Sequence, residues 1–154
     1  AAIGFRAGAH PTARLASRSA LRTYDPVDAA DAHSARPTVA GLFFPVITMA
    51  EPAAHAHSKR ELLGTDVGPE RIARFSAERD LPPDMPPTFV AHAANDKVVS
   101  PANSLTMFAA LQAARIPSEL HIFETGGHGL PLREKGEEHP WPTLFERFAC
   151  RHGL

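Results

Sequence analysis

The sequence is poor in cysteine, in surplus positive charge and in long apolar runs. Its single cysteine, Cys150, excludes an internal disulfide, and we interpret it as a residue on a helix face. The formal charge of −1 leaves no basic surplus with which to bind nucleic acid or an anionic membrane. The longest apolar stretch, residues 39–50, is interrupted by Gly41 and Pro45 and is too short for a membrane span. We therefore expect neither a nucleic-acid nor a membrane partner.

Internal repeats, heptads and a visible signal peptide are also lacking. The 154 residues are 44% hydrophobic, which is enough for one domain with a real core. The 15 prolines mostly separate periodic segments. The sequence is apolar from its first residue, so the compartment stays open between cytoplasmic and secreted.

The first half of the chain alternates short apolar runs with loops. The pattern predicts a strand over residues 1–5, a helix from Ala7 to Arg22, a loop from Tyr24 to Pro37 and a strand from Thr38 to Phe44. Pro11 would fall just past the first turn of that helix, where its missing N–H removes a hydrogen bond. A short helix should follow, with Ser58 as N-cap and Gly64 as its stop, and then another over Pro69–Ser76.

The second half is more regular. Strands are predicted over Pro87–Ala93 and Ser118–Phe123, and helices over Pro101–Ala114 and from about Trp141 to Arg151. Strands that alternate with helices favour an α/β fold with a mostly parallel sheet and helices on both faces. Ligands of such sheets bind outside the carboxyl ends of the strands.

Three loops at that edge carry a candidate catalytic set. Arg6 lies in a glycine-flanked strand-to-helix turn, Asp96 follows a strand, and His128 lies in a glycine-rich turn. An acid followed by a histidine matches the order Ser…Asp…His of hydrolases, in which the carboxylate orients the histidine that accepts the serine proton. Each feature has a plainer interpretation: an ordinary turn, a turn-forming aspartate and a turn histidine. Their joint order and strand-end positions favour a hydrolase.

The sequence resembles the serine esterases of the α/β-hydrolase superfamily, especially the acetyl-xylan and acetyl esterase-like proteins associated with xylanases. The resembling segments are Gly4–His10, Pro45–Met49, Lys59–Gly64, Pro86–Phe89, Asn95–Val99 with Asn103–Leu105, and Gly126–Gly129. The resemblance implies a partial α/β-hydrolase fold with a sheet of about four strands, residues 1–154 forming a single truncated domain. It implies Asp96 as triad acid, His128 as base and the N–H of Ala7 as one oxyanion donor. It also implies a small-molecule or carbohydrate ester as substrate and no cofactor.

Two departures from this family pattern argue against hydrolysis. Arg6 occupies the nucleophile position of G-x-S-x-G, and a guanidinium has no lone pair with which to attack an acyl carbon. Since Ala9 and Pro11 also depart from the pattern, we expect the turn to have lost its catalytic geometry. If the elbow turn persists, we expect Arg6 to swing toward Asp96 and to compete with His128 for it. The family fold also has about four strands before the elbow, including the second oxyanion loop. The chain would therefore correspond to the C-terminal half.

These observations leave three functional hypotheses. The chain is an esterase relative that is inactive as written, a non-catalytic scaffold that binds a ligand or partner, or a serine peptidase of the prolyl-oligopeptidase type. His55 and His57 suggest a metal pair, but no cysteine or carboxylate cluster completes it, so we expect exposed loop histidines and no metal. An open edge on the first strand predicts a homo-oligomer.

Overall fold

A four-stranded parallel sheet lies at the centre of the fold, in a computed structural model that describes residues 1–154. In sheet order its strands are β1 (Ala2–Phe5), β2 (Ala40–Phe43), β3 (Thr88–Ala93) and β4 (Ser118–Phe123). The helices are α1 (Ala9–Arg18), α2 (Ala56–Leu63), α3 (Pro69–Phe75), α4 (Ala102–Ala113) and α5 (Trp141–Arg151). Short 3-10 turns cover Arg6–Gly8 and Ala29–Ala32, and β5 (Arg133–Glu134) pairs with β6 (Glu137–Glu138) in an antiparallel hairpin. The predicted α/β fold with about four parallel strands is confirmed.

The two faces of the sheet carry separate apolar layers. On one face α1 and α4 pack on the sheet, and the buried cluster there includes Leu42, Val90, Met107 and Leu111. On the other face α5 covers an aromatic cluster around Phe43, Phe89 and Phe148. Every residue of β2 and β3 is buried, as expected for central parallel strands that are covered on both sides. No helix in the structure has both the length and the apolar character that a membrane span requires.

Helix α1 begins later than the periodicity predicts. It starts at Ala9, after the 3-10 turn, and ends at Arg18 rather than Arg22. Pro11 therefore lies within the first turn, where backbone N–H groups have no helical acceptor in any case. The expected loss of a hydrogen bond at Pro11 is wrong, and the proline is compatible with an intact helix.

Helix α2 has a different cap from the one predicted. It begins at Ala56, and its N-cap is His55, whose side chain accepts a hydrogen bond from the N–H of Ser58. Ser58 is thus inside the helix and not its cap. Gly64 ends the helix as predicted, with a φ of 90° that favours glycine.

Strand β1 forms an open edge of the sheet, because it pairs only with β2. The side chains of Ile3 and Phe5 are 47% and 45% exposed along it. We predict that the 154-residue chain self-associates through this edge, and that Ile3→Lys shifts it toward monomer. Light scattering at tens of micromolar measures this. Val27→Lys, at an exposed apolar residue outside the sheet, is the matched control, and a native chain that stays monomeric would contradict the prediction.

Candidate active site

The turn after β1 keeps the backbone conformation of a nucleophile elbow. Arg6 has a φ of 56°, in the left-handed region that non-glycine residues rarely adopt, whereas Phe5 before it is extended. The carbonyl of Arg6 accepts a hydrogen bond from the N–H of Val46, at 3.0 Å. A left-handed residue of this kind costs about 1–3 kcal/mol, so the surrounding structure must hold it in place. The expectation that this turn has lost its catalytic geometry is therefore wrong.

Gly4 is the residue that lets helix and strand meet so closely at the elbow. A Cβ at Gly4 would lie 2.5 Å from the Cα of Ala9 and 2.7 Å from the carbonyl oxygen of Gly8. Gly8 itself has open space where its Cβ would be. The two glycines of the motif therefore differ: the first is required by packing and the second is not.

Asp96 and His128, the predicted acid and base, are hydrogen-bonded to each other in the structure. The Nδ1–H of His128 donates to Oδ2 of Asp96 over 2.8 Å, across 32 positions of sequence. The Asp96 side chain is fully buried and that of His128 is 15% exposed. The glycines around His128 have positive φ, and Asn95 Oδ1 accepts from the N–H of Gly127 at 2.8 Å, which ties the histidine turn to the end of β3.

Asp96 is held by more donors than the histidine alone. Its Oδ1 accepts from the N–H groups of Val98 and Val99, at 2.8 and 3.0 Å. Burial by itself would raise the pKa of Asp96, but the hydrogen bonds from His128 and from these two backbone groups outweigh it and lower the pKa. The carboxylate is thus charged and fixed in orientation at neutral pH.

His92 completes the surroundings of Asp96, and no functional role was predicted for it from the sequence. The Nε2 of His92 lies 3.2 Å from Asp96 Oδ2 and 3.0 Å from the carbonyl of Val99. Both are acceptors, so Nε2 carries the proton, and Nδ1 accepts from the hydroxyl of Ser104 at 2.7 Å. Burial lowers the pKa of His92, and Asp96 offsets this only in part. A histidine within a mostly apolar strand, four positions before the predicted acid, is the signal that could have revealed it.

The predicted contact between Arg6 and Asp96 does not form. Asp96 pairs with His128 and His92, and Arg6 takes part in no ion pair or side-chain hydrogen bond of the structure. The other ring nitrogen of His128, Nε2, is buried and has no hydrogen-bond partner, and the ring packs edge-on against Phe44 at 5.3 Å. The atom that would accept the nucleophile's proton is therefore free.

His55 is a second residue that sequence reasoning did not place in the site. Its Nδ1 accepts from the N–H and hydroxyl of Ser58, at 3.3 and 2.8 Å, which leaves the proton on Nε2. Burial lowers the pKa of His55. The neighbouring His57, Arg6 and His128 lower it further, and Asp96 opposes them. The charges of Arg6, Asp96 and His128 thus all affect His55. No group of three potential metal ligands occurs in the structure.

Clefts open on both sides of α2. One, of about 350 Å³, is lined by residues that include His55, Asp96, Lys97 and Val98. The other, of about 440 Å³ and mostly apolar, is lined by Ala7 together with residues such as Val46, Met49 and Leu62. The N–H of Ala7 as an oxyanion donor stays a prediction.

The lowered pKa values of two buried histidines lead to a prediction of how the stability of the fold depends on pH. Burial lowers the pKa of His92 and of His10 below the ordinary 6.5, so the unfolded chain binds more protons than the folded one. The contribution of the two buried, neutral rings to the stability of the fold is therefore complete above pH 6.5 and is lost as the pH falls below that value. We expect the Tm to fall by several degrees between pH 8 and pH 5. The lowered pKa of Asp96 should add a further loss of stability only below pH 3.8, which is the ordinary pKa of an aspartate.

Thermal unfolding at a series of pH values tests this expectation. His92→Gln should be less stable at pH 8 and should show a flatter dependence on pH. His33→Gln, at an exposed histidine, is the control and should follow the native curve. A His92→Gln curve that keeps the native slope would contradict the assignment.

Comparisons with known proteins agree with this geometry. The sequence model of the prolyl oligopeptidase family matches residues 58–144. The chain is 36% identical to endo-1,4-beta-xylanase B of Butyrivibrio fibrisolvens, over 96% of this chain and 24% of that protein. It is 28% identical to an acetylxylan esterase of Xylanibacter ruminicola, over 82% of this chain and 25% of that protein. A solved structure, the acetyl ester-xyloside bifunctional hydrolase from Caldicellulosiruptor lactoaceticus, is 34% identical, with a TM-score of 0.86 over 98% of this chain and 56% of that one. The chain thus spans about a quarter of its curated relatives and just over half of this structure.

Proposed function

The chain belongs to the prolyl oligopeptidase family of α/β-hydrolases, and from that premise we propose that it is an esterase relative that does not hydrolyse esters as written. Its lineage would be that of carboxylic ester hydrolases acting on acetylated carbohydrate. The proposal rests on one observation: arginine occupies the nucleophile position of a turn that keeps the elbow conformation, while Asp96 and His128 remain hydrogen-bonded to each other.

The names of the relatives support the proposed class of substrate. An acetylxylan esterase, an endo-1,4-beta-xylanase and an acetyl ester-xyloside hydrolase all point to acetylated or xylose-based carbohydrate. The chain covers only part of each protein, and the proposal extends their class of substrate to it.

The chemistry of the site supports the loss of hydrolysis. A guanidinium is protonated and offers no lone pair, so Arg6 cannot form an acyl intermediate, and the free Nε2 of His128 has no nucleophile to activate. Ser104 does form a relay with His92 and Asp96, but its side chain is fully buried. A substrate cannot reach Ser104, so this relay does not replace the missing nucleophile.

Turnover assays test the proposal. The purified chain is expected to release no p-nitrophenol from p-nitrophenyl acetate, and no acetate from acetylated xylan, above the rate in buffer. Saturable turnover by the native chain that His128→Ala abolishes would overturn the proposal. His33→Ala is the matched control for loss of a histidine.

A peptidase of the prolyl-oligopeptidase type is the second candidate. It is favoured by one observation, the match of residues 58–144 to that family. An Arg6→Ser variant separates the two, because an esterase lineage should act on acetyl esters and a peptidase lineage on a proline-containing peptide. Cleavage of the peptide in preference to the ester would favour the peptidase.

A further inference from the structure

His92 closes the turn that carries Asp96. Its Nε2–H lies between two acceptors, Oδ2 of Asp96 at 3.2 Å and the carbonyl oxygen of Val99 at 3.0 Å. The N–H of Val99 donates in turn to Oδ1 of Asp96, at 3.0 Å. A single ring nitrogen of strand β3 is therefore bonded to both ends of the turn over residues 96–99.

The two carboxylate oxygens of Asp96 have different kinds of donor. Oδ1 accepts only from backbone groups, the N–H of Val98 and the N–H of Val99. Oδ2 accepts only from side chains, those of His92 and His128. Because the last torsion of an aspartate side chain is broad, donors on Oδ1 alone would still allow Oδ2 to shift. The place of Oδ2 therefore depends on the two histidines.

Helix α4 fixes the other side of the His92 ring. The hydroxyl of Ser104, in α4, donates to Nδ1 of His92 over 2.7 Å and so keeps the proton of the neutral ring on Nε2. His92 and Ser104 are both fully buried, so water does not compete for these hydrogen bonds. An unbroken series of hydrogen bonds thus leads from α4 to the carboxylate of Asp96.

We propose that His92 is a positioning residue for the acid–base pair, and that it acts by fixing Oδ2 of Asp96 in the orientation that His128 requires. Without the donor at position 92, Oδ2 would be held only by the histidine that it has to orient. The inference rests on the proposed function, because it concerns an acid–base pair that is retained without a nucleophile. It also gives the buried Ser104 a task, which is to hold His92 in the tautomer that donates to Asp96.

Two substitutions separate this role from simple filling of the core. His92→Phe keeps an aromatic ring of similar volume in β3 but donates nothing to Oδ2 of Asp96 or to the carbonyl of Val99. His92→Gln loses the ring, but its side-chain amide can donate from about the place of Nε2. If His92 only fills space, phenylalanine should replace it at least as well as glutamine does. If His92 positions the acid, glutamine should preserve the pair and phenylalanine should not.

The Nδ1 proton of His128 gives the first readout, in the native chain. A proton donated to a carboxylate resonates downfield in nuclear magnetic resonance spectra and moves upfield as the hydrogen bond weakens. We expect His92→Phe to move this resonance upfield and to speed its exchange with water, and His92→Gln to leave it near its native position. His121→Phe is the matched control, because His121 contacts a different carboxylate, Glu119 at 3.1 Å, in the neighbouring strand β4. It should leave the resonance unchanged.

Hydrolysis of p-nitrophenyl acetate by Arg6→Ser gives the second readout. Adding His92→Phe should lower kcat about ten- to a hundredfold with little change in KM, because a displaced base slows the reaction without weakening the binding of substrate. Adding His92→Gln instead should keep most of the rate, and Ser104→Ala should have an intermediate effect. Adding His121→Phe should change neither constant.

The two readouts also define the results that would overturn the proposal. An unmoved His128 resonance in His92→Phe would show that His92 only fills space, and a downfield shift would show that it competes with His128 for the carboxylate. If His92→Phe does not fold, Ser104→Ala takes its place, and an unmoved resonance there would equally contradict the proposal. Ester hydrolysis by the native chain would contradict the proposed function alone, because the resonance test does not depend on activity.

Discussion

Replacing Arg6 with serine is expected to raise the rate of p-nitrophenyl acetate hydrolysis roughly a thousandfold above that of the native chain. The elbow already holds position 6 at a φ of 56°, and His128 presents an unpartnered Nε2 above a fixed, charged Asp96. A complete triad accelerates such chemistry by about 10⁶, and lack of one oxyanion donor costs about 10²–10³. With the predicted N–H of Ala7 as the one oxyanion donor, the difference leaves a gain of at least about 10³.

Three further variants decide whether that gain comes from the triad. Arg6→Ala removes the arginine without supplying a nucleophile, so it should stay at the native rate. Adding His128→Ala or Asp96→Asn to Arg6→Ser should abolish most of the gain. Equal rates for Arg6→Ser and Arg6→Ala would show that the acid–base pair is not aligned with position 6.

Replacing Gly4 with alanine is expected to destabilise the fold by about 3 kcal/mol and to lower the Tm by about 10 °C. The added methyl would lie 2.5 Å from the Cα of Ala9 and 2.7 Å from the carbonyl oxygen of Gly8. Both are backbone atoms, so the start of α1 must move away from β1, and the elbow moves with it. Denaturant unfolding measures the loss of stability.

Gly8→Ala is the matched control from the same motif. Gly8 has a φ of −65°, which alanine adopts without strain, and no atom lies within 4 Å of the added methyl. We expect a change within about 0.5 kcal/mol. A Gly4→Ala chain as stable as Gly8→Ala would show that α1 does not approach β1 as closely as described.

The sequence predicts the parts of the fold that depend on local pattern. Apolar runs mark β1, β2 and β3 and alternation marks β4, and β4 and α5 have the predicted bounds. Parallel strands bring their carboxyl ends to one edge, which is why order along the chain was enough to pair Asp96 with His128. The hairpin of β5 and β6 went unpredicted, although Gly136 between its strands was a turn signal.

The supporting residues of the site could not be predicted because their roles depend on distant contacts. His92 is one of several buried residues in β3, and only the packing of α4 brings Ser104 to it. Arg6 adopts a positive φ in the turn that leads into α1, so the identity of this residue gave a misleading indication of its backbone conformation. The cap of α2 was assigned to the wrong residue for a different reason: the ring of His55 accepts from the backbone N–H of Ser58, whereas pattern rules favoured Ser58 itself as the cap.

The four donors around Asp96 give that residue a second reason to be retained. Its carboxylate satisfies the N–H groups of Val98 and Val99 and holds His92, which joins β3 to α4 through Ser104. Losing the carboxylate would leave these buried groups unsatisfied whether or not an ester is ever cleaved. The folded structure therefore accounts for Asp96 without any catalytic role, and an intact Asp96–His128 contact is by itself no measure of the activity of this chain.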